Sequence, residues 1–467
     1  MSPTGPSRPS GLGARVRVGY GLGSFATGTF GTVPGLLLLY YLTDVLGVGA
    51  GLAGLLVFLP KAWDVLLNPW IGSLSDRSTR ARLGPRRSWM LFGALTMPLC
   101  FAAMFAAPGL DGGPAAAYVA VLFLLTASAY ACFQVPYVAL PAELTADPDE
   151  RARVMSWRVA FLAVAILLSG AVAPLLAGST ADDRGSAGGY RLMGVVIGAL
   201  LAVGMLAAVA ATAGTTSAIR TTSEPGLRAQ LRAARGNAPF ARLLGAFVTQ
   251  AAATGLMLAG TQYFATYILD DPGATTLLFA CLIVPSLLAM PLWLAVGRRT
   301  GKRNAAIGAS LCFLLGALAA AAGRELPAAL IYVAVAAAGV GYAGMQMLPM
   351  AMLGDAIAAD AYTSGRRRAG VFTGLWTAGE TLGLALGPGL FGLVLALGDF
   401  VSSDADHRVA QPDSALTAIV VGFGALPAAL LLLSLPLLAR YRLTEAELTR
   451  LRAAADADPA DRDQRTA

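Results

Sequence analysis

Apolar runs follow one another along almost the whole chain, parted by short charged or Gly- and Pro-containing turns. Each is about 20 residues or longer, enough for a helix to cross roughly 30 Å of hydrocarbon. Inside lipid, backbone donors and acceptors must be satisfied within the segment, and runs of this length exceed barrel strands, so helices are predicted. Twelve spans are expected, near residues 18–45, 50–75, 88–107, 115–143, 154–178, 190–213, 243–269, 274–297, 304–322, 327–354, 370–397 and 413–439. A hydrophobic share of 56% against 13% charged residues excludes an ordinary soluble chain. The first run is too long for the core of a cleavable signal peptide and lacks a small-residue exit site, so none is expected.

Cationic side chains set the expected orientation. With the N-terminus inside, all but a handful of the 34 Lys and Arg fall in cytoplasmic segments, leaving Arg184, Arg191, Arg324 and Arg408 outside and Lys61 and Arg158 within spans. Both termini are therefore expected in the cytoplasm, in a bacterial cytoplasmic membrane. The net charge of +7 is accounted for by this bias and calls for no nucleic-acid partner. The longest hydrophilic stretch between spans, Thr215 to Leu243, divides them six and six. The expected organisation is a cytoplasmic arm (1–16), a six-helix bundle (17–213), a central loop (214–242), a second six-helix bundle (243–440) and a cytoplasmic tail (441–467) with a short amphipathic helix from about Thr444. A faint echo sets Pro69 opposite Pro291, and two basic turns then coincide, after spans two and eight. This is the plan of the major facilitator fold, two six-helix halves around a central site.

Cys100, Cys132, Cys281 and Cys312 sit singly inside spans and His407 lies in a loop, so neither a disulfide, a metal centre nor a catalytic constellation is suggested. The chain is expected not to be an enzyme and to need no cofactor.

Chemistry is left to the few polar residues within spans. Lys61, Asp64 and Asn68 in "LPKAWDVLLNPWIGSLSDR" are spaced by three and four, one stripe of a helix. A charge at mid-bilayer costs roughly 2.5–3.5 kcal/mol on the most lenient scale, so such a stripe faces protein or water. It forms either a coupling-ion site or a pair that pins helices together. Glu380, with Trp376 one turn before it and Thr381 after it, is a proton carrier, a counter-charge for a solute, or a protonated acid bonded to a neighbouring helix. Arg158 reaches a solute anion or snorkels to the interface. Gln134 binds solute or bridges helices, Tyr137 and Trp376 stack on a ligand or pack, and Tyr342 and Gln346 are weaker candidates on span ten.

Several stretches, among them "YGLGSFATGTF", "YYLTDVLG", "AWDVLLNPWIGSLSDR", "QVPYVALPAEL", "ERARVMSWR" and "RRRAGVFTGLWTAGETLGLALG", resemble the glycoside-pentoside-hexuronide:cation symporters, the melibiose-permease branch of the major facilitator superfamily. The resemblance covers nearly the whole chain in order and implies an all-α, twelve-helix secondary transporter with a central cavity. It places the family's cation-binding aspartates on Asp64 and Asn68, its sugar-gripping acids on Gly28 and Gln134, its stacking tryptophan on Val138 and its span-eleven lysine on Thr381. The basic residues of spans two and five are kept as Lys61 and Arg158. The family's scaffold thus carries a rebuilt pocket.

The expected function is alternating-access transport of a small organic solute, such as a sugar or glycoside, through the lipid bilayer by a single chain. Coupling to H⁺ through Asp64 is expected ahead of Na⁺, with Asp76 and Arg77 as a cytoplasmic gate. Export of a larger or less polar metabolite is the rival within transport, and a non-transporting membrane sensor the rival outside it.

Overall fold

The computed structural model describes residues 12–77, 85–145, 147–178, 187–213, 236–364, 368–403 and 409–457. Among them all regular structure is helical. Eleven helices are long and apolar enough to cross a membrane. The expected first span is present in segments: Ala14–Leu22, Ser24–Val33 and two π-helical turns, Pro34–Leu38 and Tyr41–Val45. A turn at Gly23 separates the first two segments, and a Cβ there would lie 2.6 Å from the Tyr137 ring, so span four packs too close for any larger residue.

Span two is Ala50–Arg77, span three Pro85–Met104, span four Gly112–Ala139, span five Pro148–Ala177 and span six Ala187–Ala211. Span seven runs Ala238–Tyr263 and ends in a π-helical turn, Phe264–Ile268. Spans eight to eleven are Ala274–Thr300, Lys302–Ala320, Ala328–Ser364 and Ala369–Leu397. Span twelve runs from Asp413–Val420 through a π-helical turn, Val421–Ala425, to Leu426–Ala439. Span seven begins earlier than hydropathy suggests because Asn237 caps it, its side-chain oxygen accepting from Phe240 N at 3.0 Å. Span ten extends well past its apolar stretch, its polar end held by Lys302–Asp355 (2.7 Å) and Arg368–Asp360 (2.7 Å). The tail helix forms as Glu445–Ala457, with Thr444 Oγ1 accepting from Glu447 N. Much of the expected central loop (214–235), the N-terminal arm (1–11) and the last tail residues (458–467) lie outside the described residues.

Large apolar side chains such as Leu99, Leu288 and Leu397 stand more than 70% exposed, as suits a surface solvated by lipid tails. The halves meet chiefly where span two packs on eleven, five on eight and one on seven, with a smaller contact of span one on span eleven. The described contacts gather at one end, the distal pole, opposite the chain termini. There Gly47 N donates to Ser403 O (3.0 Å), Ser403 N to Thr43 O (2.9 Å), and Ser402 Oγ to Val48 O (2.8 Å). At the opposite, terminal pole the described ion pairs stay within one half: Arg17–Glu150 and Arg86–Glu143 in the first, Lys302–Asp355 and Arg368–Asp360 in the second. Each half is thus braced internally while the two are joined at the distal pole.

Candidate functional site

In the first half the site is built on spans one, two, four and five. Asp64 is 3% exposed, and its Oδ1 has no hydrogen-bond partner. One turn on, the buried Oδ1 of Asn68 is likewise unpartnered. Two buried oxygens without donors, at neighbouring positions of one helix face, fit a small cation. Lys61 does not neutralise Asp64 by a direct pair. Its ammonium donates to Phe30 O at 2.9 Å and lies 4.0 Å from the Phe30 ring centroid. That carbonyl is available because the residue four positions on is Pro34, which has no N–H to return to it.

Gln134 accepts from Thr27 Oγ1 at 2.8 Å, tying span four to span one. Tyr137 is fully buried: its hydroxyl donates to Tyr20 O (2.8 Å), Ser24 Oγ lies 3.0 Å away, and its ring stacks on Tyr20 at 4.6 Å. Arg158 lies close to it as well, with its guanidinium carbon 5.9 Å from the ring centroid and its buried Nε without a partner. Gly28 faces span five: a Cβ there would fall 2.8 Å from Ala165 Cβ, so the position is filled by helix packing rather than open to a cavity.

The second half contributes a small cavity between spans seven, ten and eleven, lined among others by Gln250, Thr254, Tyr342, Gln346 and Glu380. Gln346 Nε2 donates to Glu380 Oε1 at 3.4 Å, which brings those two sequence candidates together. Thr381 follows on the next position, half-buried. Trp376 is elsewhere: it is 1% exposed and stacked on Phe247 at 4.1 Å, a packing position. Asp76 and Arg77 end span two, and their side chains lie outside the described residues.

The two clusters share a depth. Spans two and eleven run antiparallel with Gly54 against Gly389 and Gly392, where a Cβ on Gly54 would meet Gly389 O at 3.0 Å, and with Gly51 against Ala396. Followed toward the terminal pole, that register sets Asp64 level with the stretch Gly379 to Leu382, which holds Glu380. Helix two and helix eleven therefore carry their only described intramembrane carboxylates to one layer on either side of the boundary between halves.

At the distal pole Tyr263 OH lies 2.6 Å from Thr43 Oγ1, Thr43 donates to Asp44 Oδ2 (2.5 Å), and Tyr267 donates to Asp44 Oδ1. Sequence reasoning missed this cluster because Asp44 sits at a span end, where a carboxylate is unremarkable. It also missed Gln250, although a lone amide inside "FVTQAAATGLML" is the same signal that flagged Gln134.

A family model described as MFS/sugar transport protein matches residues 19–445. "Putative glycoside/cation symporter YagG" of Escherichia coli (strain K12) is 30% identical over 447 residues, covering 92% of each chain. The isoprimeverose transporter of Lactiplantibacillus pentosus is 24% identical, covering 89% of this chain and 87% of its own. Among solved structures, a mutant of the nucleoside transporter NupG superposes with a TM-score of 0.66 at 12% identity, over 90% of this chain and 99% of that one, a likeness of fold.

Proposed function

We propose, from the premise that this chain belongs to the MFS/sugar transport protein family, that Asp64 is where a coupling proton lands while a solute occupies the cleft between the halves. The protein is a secondary active transporter of a sugar, glycoside or related small organic solute, in keeping with relatives named as a glycoside/cation symporter and an isoprimeverose transporter. The observation that carries the coupling role is the buried, unpartnered Oδ1 of Asp64 beside the equally unpartnered Oδ1 of Asn68. With one carboxylate and one neutral amide, H⁺ is the coupling ion proposed, and Na⁺ the alternative that the same oxygens admit.

With both termini in the cytoplasm, the orientation that the arginine bias favours, the distal pole is the outer face and the halves joined there form an inward-facing arrangement. Lys61, held on Phe30 O, is free to engage Asp64 once the carboxylate loses its proton, which ties the charge of the site to the packing of span one against span two. Arg158, braced by Tyr137, and Gln134 offer the solute a cation and an amide from the first half; Glu380, Gln346 and Thr381 face them from the second. Asp76 and Arg77 remain the proposed cytoplasmic gate, closing in the opposite state, and the single chain is the proposed working unit. One proton moving down about 100 mV supplies about 2.3 kcal/mol, enough for a solute gradient of roughly fifty-fold.

The test is uptake of labelled glycosides by right-side-out vesicles under an imposed proton gradient, with and without Na⁺. Wild-type protein accumulates solute above the outside concentration, whereas Asp64→Asn protein equilibrates it without accumulation. Accumulation by the Asp64→Asn variant removes Asp64 from the coupling step, a requirement for Na⁺ replaces the proton, and net outward movement reverses the direction of transport.

A further inference from the structure

The cavity of the second half holds an acceptor that nothing described satisfies. Ser310 Oγ donates its only proton to Ala306 O (2.8 Å), so toward Gln250 it acts only as an acceptor. Gln250 accordingly presents its amide nitrogen to Ser310 at 3.0 Å, and its carbonyl oxygen is left toward the cavity, buried and without a partner on a residue only 2% exposed. Gln346 directs its amide nitrogen at Glu380, a carboxylate that accepts, and also lies in hydrogen-bond contact with the Tyr342 hydroxyl on the same wall. Thr254 has spent its hydroxyl proton on Gln250 O at 3.1 Å. No described cation lies within ion-pair distance of Glu380. What remains is the Gln250 oxygen and the Glu380 carboxylate, with the Tyr342 hydroxyl engaged by Gln346 and apolar walls from Met345 and Leu384.

An orphaned amide oxygen and a carboxylate lining one cavity suit the N–H donors of a primary ammonium group. We propose that the cavity between spans seven, ten and eleven, lined by Gln250, Gln346 and Glu380, is a subsite for a cationic nitrogen of the transported solute, an amino group carried on a sugar or glycoside. The proposal rests on the reading of the chain as a sugar or glycoside carrier and narrows its substrate class. A neutral sugar gains only hydroxyl-to-oxygen bonds at this place and leaves the carboxylate uncompensated, so the subsite selects the amine by charge as well as by hydrogen-bond count.

The experiment is equilibrium binding, by calorimetry and thermal shift, to purified full-length protein in nanodiscs without any gradient. The probes are matched pairs: D-glucosamine with D-glucose and D-galactosamine with D-galactose, each with and without added NaCl. The proposal expects the amino member of at least one pair to bind at least tenfold more tightly than its neutral partner. Glu380→Gln abolishes that preference, and Gln250→Leu, which keeps the charge but removes the orphan acceptor, reduces it severalfold. A monodisperse gel-filtration profile certifies each variant, and the Gln250→Leu result decides should Glu380→Gln not fold. Equal binding of both members, binding of neither, or stabilisation by NaCl alone that Glu380→Gln removes would each overturn it, the last by assigning an alkali cation to the cavity. Because no gradient is used, the outcome is independent of whether Asp64 couples transport.

Discussion

Tyr267, at the end of span seven, donates its hydroxyl to Asp44, at the end of span one, and the bond crosses between the two halves at the distal pole. Both residues lie in π-helical turns, Tyr41–Val45 and Phe264–Ile268, that close the corresponding spans of each half. The wider turn rotates the final side chains of each span relative to an α-helix, and here it aims them at one another. Thr43 and Tyr263 extend the chain of hydroxyls on Asp44, so its carboxylate is held from both halves at once.

Removing that donor should loosen the distal pole without disturbing either half. A hydrogen bond to a charged group contributes about 1.5–3 kcal/mol, so Tyr267→Phe is expected to raise the population open at the distal pole about tenfold or more. Hydrogen exchange checks this: amides of Tyr41–Val45 and Phe264–Ile268 exchange faster, while those near Lys302 and Asp355 stay as in wild type.

The glycine contacts between spans two and eleven give a sharper, paired prediction. A Cβ on Gly392 would lie 2.6 Å from Ala50 O and 2.7 Å from Gly54 Cα, against backbone that has no room to give. One on Gly389 would meet Phe58 Cβ at 3.4 Å, an ordinary contact. Gly392→Val is therefore expected to cost about 1–3 kcal/mol of the closed distal arrangement and to lower initial uptake rates about tenfold, whereas Gly389→Ala transports nearly as wild type.

Trp376 separates packing from solute binding. Stacked on Phe247 and almost wholly buried, it should behave as core. Trp376→Ala is expected to lose about 3–5 kcal/mol, read as a lower unfolding temperature in detergent, while Trp376→Phe keeps both stability and apparent KM for solute close to wild type. A change in KM with unchanged stability would instead put the indole in the pocket.

The Lys302–Asp355 pair, partly exposed and confined to the second half, provides the contrast to Tyr267. Asp355→Asn should cost no more than about 1 kcal/mol and leave both the uptake rate and the exchange of distal-pole amides unchanged.

The layout of the spans was legible because each helix is written locally. Backbone satisfaction in lipid needs one continuous apolar run per crossing, and Thr444 marks the start of the tail helix by capping it. The first span was the exception. Its turn at Gly23 interrupts no apolar stretch, so hydropathy reads it as one run, and the close approach of Tyr137, more than a hundred positions away, is not written nearby. The stripe of Lys61, Asp64 and Asn68 was legible for the same local reason, since helical spacing alone puts them on one face.

Partnerships were not legible. That Lys61 turns to Phe30 rather than to Asp64 follows from a proline in another span, and that Trp376 packs rather than binds follows from Phe247 on a third. The orphan oxygen of Gln250 exists only because Ser310 has already given its proton to Ala306. The amino-acid sequence by itself determined that this chain crosses a bilayer as helices, which way its charges bias it, and which polar groups it commits to the apolar phase. The tertiary structure decided which of those groups are satisfied and which are left waiting. Hydrogen bonds and close packing reach only a few ångströms, so they are fixed by which helices become neighbours and not by order along the chain.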